Sequence, residues 1–132
     1  MIEELKVRTR ERNQFLDITH DIQRVVDRSG ISEGLAILFV PHTTAAVTIN
    51  ENADPDVLTD LLYGLDKIAP LQDRYRHTEG NSAAHIKSSL IGASEQVIIR
   101  SGKLLLGTWQ GIYFCEFDGP RSRTLQIKLL QG

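Results

Sequence analysis

The run Leu35-Ala36-Ile37-Leu38-Phe39-Val40 constrains this chain more than any other stretch, because it is apolar without alternation. A strand with one wet face alternates with period two, so an unbroken apolar run of this length is expected of a central strand covered on both faces. A chain built round such a strand must also supply neighbours to pair with it and layers to cover it. The neighbours are legible. Leu5, Val7 and Thr9 alternate with Glu4, Lys6 and Arg8, and a short strand follows at residues 14–18 after the polar Glu11-Arg12-Asn13 turn, so a hairpin is expected there. Beyond Pro41, His42, Thr44, Ala46, Thr48 and Asn50 alternate with Thr43, Ala45, Val47 and Ile49, which predicts a strand carrying the histidine and hydroxyls on one polar side. Residues 96–100 form a further strand, and Ser101-Gly102-Lys103 makes a turn. Two alternating runs, Ile112 to Phe117 and Arg123 to Leu129, are expected to close the chain as a hairpin across Asp118-Gly119-Pro120.

Helical periodicity fills the gaps between these strands. Thr19 stands where it can cap a helix with Ile22, Val25 and Val26 on one face, stopped by Ser29-Gly30. His20, at its start, reads as a surface residue. Asp54 and Pro55 mark the N-cap and first position of a helix buried through Leu58, Leu61, Leu62 and Leu65. A third helix begins at Asn81-Ser82 and ends at Gly92. Strands mixed with about three helices make an α/β (α+β) protein. Its 132 residues, 1–132, suit a single domain.

Composition excludes several function classes. With a formal net charge of −2 and basic residues scattered along the chain, neither a nucleic-acid coat nor a polybasic membrane patch is expected. No apolar run approaches the roughly eighteen residues of a membrane span, and Met1-Ile2-Glu3-Glu4-Leu5 lacks the features of a signal peptide. The single cysteine, Cys115, leaves no intramolecular disulfide and fits a reducing compartment, so a cytoplasmic protein is expected. Cys115 itself, flanked by aromatics and without an adjacent base, reads as a core residue.

Reactive groups crowd into Arg76-His77-Thr78-Glu79-Gly80-Asn81-Ser82-Ala83-Ala84-His85-Ile86-Lys87, approached through a loop over residues 67–76. Gly80 permits a sharp approach to the helix. His85 falls in the first turn, where unpaired backbone N–H groups and the positive end of the helix dipole favour an anion. On helical spacing His85 shares a face with Asn81, Ser82, Ser88 and Ser89, whereas Ala83, Ile86 and Leu90 fall opposite. The polar face is therefore expected toward a pocket and the apolar face inward. An Asn-Ser pair caps many helices and loop histidines are commonly just solvated; what marks a site here is the convergence of His, Glu, Asn, Ser and Lys without a run of like charge.

His42, His77 and His85 come from a strand end, a loop and a helix start, and imidazoles arriving from separate elements are what a divalent metal such as zinc or magnesium requires. Glu51 and Glu79 are the carboxylates available as general base or further ligand, with an ordinary turn role equally open to Glu51. Lys87, Arg76 and Arg121, with the helix start at Ser82, offer a phosphate cradle, although Arg121 is also placed to be a solvated turn residue. Gly107 and Gly111 bracket the only tryptophan, Trp109, as suits a tight bend. No Walker loop, dinucleotide fingerprint or serine-nucleophile elbow is present.

Several of these segments together carry a resemblance. His42-Thr43-Thr44-Ala45-Ala46 with Asn50-Glu51-Asn52, then His77 with Glu79 through Lys87, then Gly107-Thr108-Trp109-Gln110-Gly111-Ile112 followed by Phe117-Asp118-Gly119-Pro120-Arg121, resemble the secondary thiamine-phosphate synthase enzyme family, the YjbQ-like proteins, over nearly the whole chain. The resemblance implies a compact sandwich-like fold with mixed or antiparallel sheets, a homotrimer, and a pocket built from the histidine and glutamate segments at a subunit interface. It also implies an activity, the joining of a pyrimidine pyrophosphate to a thiazole phosphate. In that reaction His42, His77 and His85 would bind metal or phosphate, Glu51 or Glu79 would handle protons, and Asn81, Ser82, Lys87 and Arg121 would hold phosphate. Trp109 would pack against an aromatic ring, with Gln110 beside it as a substrate contact. Departure of pyrophosphate calls for charge neutralisation more than for a protein nucleophile, and the residues are compatible with that. Two other readings stand beside it: a non-catalytic module that binds a phosphorylated small molecule or a metal, and a purely structural trimer.

Overall fold

The structure, a computed structural model, describes residues 2–132. In chain order its elements are β1 (Ile2–Arg8), β2 (Gln14–Asp17), α1 (Thr19–Ser29), β3 (Gly34–Phe39), β4 (Ala45–Glu51), α2 (Pro55–Ile68), α3 (Ser82–Ile91), β5 (Ser94–Arg100), β6 (Lys103–Leu104), β7 (Gln110–Glu116) and β8 (Ser122–Gln131). The strands form two wholly antiparallel sheets, a five-stranded one in the order β1-β8-β3-β5-β6 and a three-stranded one in the order β2-β7-β4. This is the mixed α+β domain that the sequence pattern predicts.

The apolar positions explain the layering. Val7, Ala36, Leu38, Val97, Ile99, Leu125 and Ile127 line the inner face of the large sheet, and they meet Ala45, Val47, Ile112 and Phe114 of the small sheet together with Ile22, Val25 and Val26 of α1. The other face of the small sheet carries Ala46, Tyr113 and Cys115, which pack under Leu58 and Leu65 of α2 and Ala84 and Ile91 of α3. Among the described residues no helix is long and apolar enough to cross a membrane.

Strand β3 is indeed the middle of the large sheet, but it is covered on one face only. Phe39, with Ile98 and Leu130 on its flanking strands, stays exposed on the outer face. The strand buried on both faces is β7, buried from Gly111 to Glu116 between the large sheet and the helices. Neither expected terminal hairpin forms, because β1 pairs with β8 and β2 with β7. The polar segments after β1 and after β7 are corners that carry the chain between sheets. They lie side by side, joined by Thr9 N–H to Arg121 O at 2.9 Å and Gly119 N–H to Arg12 O at 3.1 Å. Period two identifies strands; it does not choose their partners.

The helix signals hold more closely. Asp54 Oδ1 accepts from the Asp56 amide at 2.9 Å, with Pro55 in the first position of α2. At α1 Thr19 is the first helical residue rather than the cap; the N-cap position is Ile18, and Asp17 Oδ1 just before it accepts from the Thr19 amide at 3.0 Å and hydroxyl at 2.6 Å. Thr19 Oγ1 is left to accept from the Ile112 amide at 2.8 Å, which fastens α1 to β7.

Two glycines separate backbone from packing effects. A side chain on Gly34 in β3 would collide with the Leu130 carbonyl of the paired strand, whereas one on Gly64 within α2 would meet nothing within 4 Å. Gly34→Ala should therefore lower stability by about 1–3 kcal/mol, and Gly64→Ala should raise it by about 0.5–1 kcal/mol. Urea denaturation midpoints check both, and matching signs would contradict this packing.

Candidate functional site

Helix α3 begins where the Asn-Ser signal predicts, after Gly80 adopts a φ of +83° on the approach. Its faces follow expectation only in part. Ala83 is buried and Ser89 exposed as expected, but Ser88 is buried with Ala84 and Lys87, and Ile86 and Leu90 are exposed at 38 % and 56 %. Small residues win the inward face because α3 lies close against the start of β4, where Ser88 Oγ donates to Thr43 O at 2.6 Å. Lys87 is 3 % exposed, and its ammonium pairs with Asp66 of α2 and donates to Asn13 Oδ1 at 3.3 Å. The lysine expected in a phosphate cradle is thus a clamp that fixes α3 against α2 and the first corner.

What α3 positions is His85. Its ring meets that of His77 edge to face, with centroids 5.5 Å apart and planes at 81°. Glu79 Oε1 stands 3.7 Å from His77 Nε2. These groups border a polar pocket of about 390 Å³, completed by Thr43 and Thr44 before β4, by Asn81, by Asp118 and Arg121 from the corner between β7 and β8, and by Arg123 near the start of β8. A second hollow of about 390 Å³ opens on the other side of the same two histidines, walled by Tyr75, Arg76, Ser82 and Ile86.

The back wall of the polar pocket is a buried charge network. Arg123, 6 % exposed, donates through Nε to Glu116 Oε1 at 2.8 Å and through Nη2 to Glu116 Oε2 and to Thr44 Oγ1, the last at 2.8 Å. Glu116 is fully buried and also accepts from Thr9 Oγ1 at 2.7 Å and from the Asp118 amide at 3.0 Å. Burial alone would raise its pKa, but Arg123, the Asp118 amide and the Thr9 hydroxyl outweigh that and hold it below the ordinary value. Asp118 behaves alike. Its partial burial is outweighed by Asn81, whose Nδ2 donates at 3.0 Å, and by Arg121, whose Nη2 donates at 3.0 Å and whose Nε donates to the Asp118 carbonyl at 2.8 Å.

Not every expected residue joins this pocket. His77, Glu79, Asn81, His85 and Arg121 do, and Ser82 borders the neighbouring hollow. His42 does not line either: its Nε2 accepts from the Thr124 amide at 3.0 Å, and burial followed by the nearby Arg123 lowers its pKa, so it is a neutral structural imidazole. Glu51 and Gln110 are partners at the opposite end of the β4–β7 ladder from the Ala45–Glu116 pair. That puts them about 20 Å from the pocket end of the strand. Glu51 offers its carbonyl to the Tyr113 hydroxyl at 3.0 Å, and Gln110 Oε1 accepts from the Gly107 amide at 2.8 Å, bracing the bend that leaves Trp109 64 % exposed. Among the described residues no group of three or more His, Cys, Asp or Glu is arranged to hold a metal ion. His42, engaged by the Thr124 amide, is not one of the groups gathered beside His77 and His85.

Sequence reading missed Thr44, Asp118 and Arg123. The signal was present: Arg123 falls in phase with Leu125 and Ile127, and Glu116 in phase with Ile112 and Phe114, so each is a charge on an apolar face. Such charges are retained only in pairs.

Fold and site define a class, a two-sheet α+β protein whose helix-capped pocket gathers imidazoles and guanidiniums at a sheet corner. Comparison with known proteins sharpens this. A profile of the family described as "UPF0047 protein YjbQ-like" matches residues 3–132. The UPF0047 protein YugU of Bacillus subtilis is 52 % identical over 131 residues, covering 98 % of this chain and 99 % of that one. A UPF0047 protein of Methanocaldococcus jannaschii is 48 % identical over 130 residues, covering 98 % and 94 %. A crystal structure of an uncharacterized conserved protein of the YjbQ/UPF0047 family from Clostridium acetobutylicum superposes with a TM-score of 0.95 at 57 % identity, covering 97 % of this chain and 99 % of that one. The chain belongs to the YjbQ-like UPF0047 family.

Two outcomes follow from the charge network. Glu116→Gln leaves Arg123 buried without a counter-charge and should cost about 3–5 kcal/mol, read from the denaturant midpoint; a loss below about 1 kcal/mol would mean the pair is solvated. His42, Glu116 and Asp118 all have depressed pKa values, so each contributes stability that is present above its unfolded pKa and lost on acidification. Stability should decline first as pH falls below about 6.5, through His42, and again below about 4.5, through the carboxyls. His42→Asn should remove the first decline and spare the second.

Proposed function

We propose that the polar pocket binds a phosphorylated metabolite, and that its chemistry is a thiamine-phosphate synthase-like transfer. The ring nitrogen of a thiazole phosphate attacks the methylene carbon of a pyrimidine pyrophosphate; a C–N bond forms, the C–O bond breaks, and pyrophosphate departs with the electron pair. One observation carries this reading: His77, His85, Arg121, Arg123 and Thr44 converge on a single polar pocket. A departing pyrophosphate needs positive charge and hydrogen-bond donors, and a guanidinium with five N–H groups retains some after pairing with one carboxylate. In this reading His85 and His77 donate to phosphate oxygens, Glu79 orients His77, and Arg121 and Thr44 complete the cradle.

A specific observation favours a second reading, a non-catalytic module for a phosphometabolite. Asp118 and Glu116 already offset Arg121 and Arg123, which leaves less net positive charge to stabilise a leaving group. Turnover separates the two. Incubation with both thiamine precursors should release pyrophosphate, and His85→Ala should lower that rate by about 100-fold or more with an unchanged thermal midpoint. Binding of pyrophosphate by calorimetry without any turnover would leave the module reading standing.

We also propose that the chain works as a homotrimer. The uncovered outer face of the large sheet exposes Ile2, Phe39, Ile98 and Leu130, and a neighbouring copy is one way for Glu51, Trp109 and Gln110 to approach a pocket. Light scattering should give three times the 14.8 kDa chain mass; a monomer at micromolar concentration would contradict the proposal.

A further inference from the structure

At the far end of β8 from the polar pocket, the inward face of the large sheet turns from apolar to polar. Glu3 falls in phase with Leu5 and Val7 on β1, and Gln131 in phase with Ile127 and Leu129 on β8. The last turn of α1 and Ile31 stand over this end and leave a hollow of about 420 Å³, within the size range of small-molecule sites. Its floor is apolar: Val25, 6 % exposed, with the partly buried Ile31 and Leu129. Its mouth carries both signs of charge. Glu3 Oε2 stands 3.8 Å from Arg28 Nη2, too far for a hydrogen bond, and Gln131 also lines the hollow. The Ser29 hydroxyl on the rim is taken up by Val26 O at 2.6 Å. Among the described residues no hydrogen bond engages the side chains of Glu3, Arg28 or Gln131. Leu129 lies six residues along β8 from Arg123, about 20 Å from the polar pocket.

We infer that this hollow is a second binding site, one that takes a free amino acid with a branched aliphatic side chain. Arg28 receives the carboxylate, Glu3 accepts from the ammonium, and the side chain covers Val25, Ile31 and Leu129. The planar fork of a guanidinium matches a carboxylate, and both contacts are charge-assisted. A ligand with a single charge sets that charge beside its like in the Glu3–Arg28 pair, whereas a zwitterion meets each member with the opposite sign. An amino acid without an apolar side chain leaves the floor wet. The assignment is independent of the chemistry proposed for the polar pocket.

Chemical-shift titration of the isotopically labelled full chain tests this with L-leucine, glycine, and two leucine analogues that each lack one charge, 4-methylpentanoate and 3-methylbutylamine. Leucine at millimolar concentration should give saturable shifts in the amides of Glu3, Arg28, Ser29 and Gln131, with an affinity about tenfold or more above that of each other probe. Glu3→Gln, at a partly exposed position, should weaken leucine yet strengthen 4-methylpentanoate, because the like charge is gone; thermal midpoints check the fold. Arg28→Gln is the mirror image, weakening leucine and strengthening 3-methylbutylamine. A smaller preference for leucine over any of the three, or variants that weaken leucine and the matching analogue alike, overturn the assignment. Absence of leucine shifts, or shifts centred on Thr44 and Asn81, also overturn it and leave the polar pocket's reading untouched.

Discussion

The buried pair of Glu116 and Arg123 is the interaction on which the rest of the site depends. Glu116 ends β7 in the small sheet and Arg123 lies near the start of β8 in the large one, so the pair pins the two sheets where the chain crosses between them. Taking two charges out of water costs several kcal/mol per ion, and attraction offsets that only with good geometry and satisfied remaining donors and acceptors. Both conditions hold. Arg123 engages both carboxylate oxygens and Thr44, while Glu116 adds the Thr9 hydroxyl and the Asp118 amide. An apolar pair of equal volume would fill the space without fixing Thr44 or the corner.

From that pair the pocket is built outward by hydrogen bonds. The Asp118 amide is held by Glu116, and the Asp118 carboxylate in turn holds Asn81 and Arg121. The Asn81 amide has only one workable orientation, since turning it over would set its oxygen against a carboxylate. The consequence is that Asn81 Oδ1 is buried with no hydrogen-bond partner among the described residues. Opposite, the Lys87 clamp and the Ser88 bond to Thr43 fix the height of α3 and so of His85. The imidazoles thus stand on a rigid base although His77 itself sits in a loop.

Much of this was legible from residues whose meaning is local. Asp54-Pro55 starts α2, Asn81-Ser82 starts α3, and β3 occupies the middle of its sheet as its apolar run implies. The stretch around His77 and His85 contributes to the pocket because caps, turns and helix starts are set by near neighbours. What was not legible depends on distant partners. Leu35, Ile37 and Phe39 read as buried, yet nothing among the described residues covers them fully. Lys87 reads as a phosphate ligand until Asp66 and Asn13 arrive beside it from other elements. His42 reads as one of three converging imidazoles until the Thr124 amide reaches its Nε2. In each case tertiary contacts decided what spacing could not.

The proposed function requires anion binding at the corner end of the β4–β7 ladder. The most direct measurement is a titration of isotopically labelled protein with inorganic pyrophosphate, followed by backbone amide and imidazole chemical shifts. Saturable shifts confined to Thr43, Thr44, His77 to His85 and Asp118 to Arg123 are the predicted result. Shifts centred instead on Glu51, Trp109 and Gln110, or none at millimolar pyrophosphate, would contradict it.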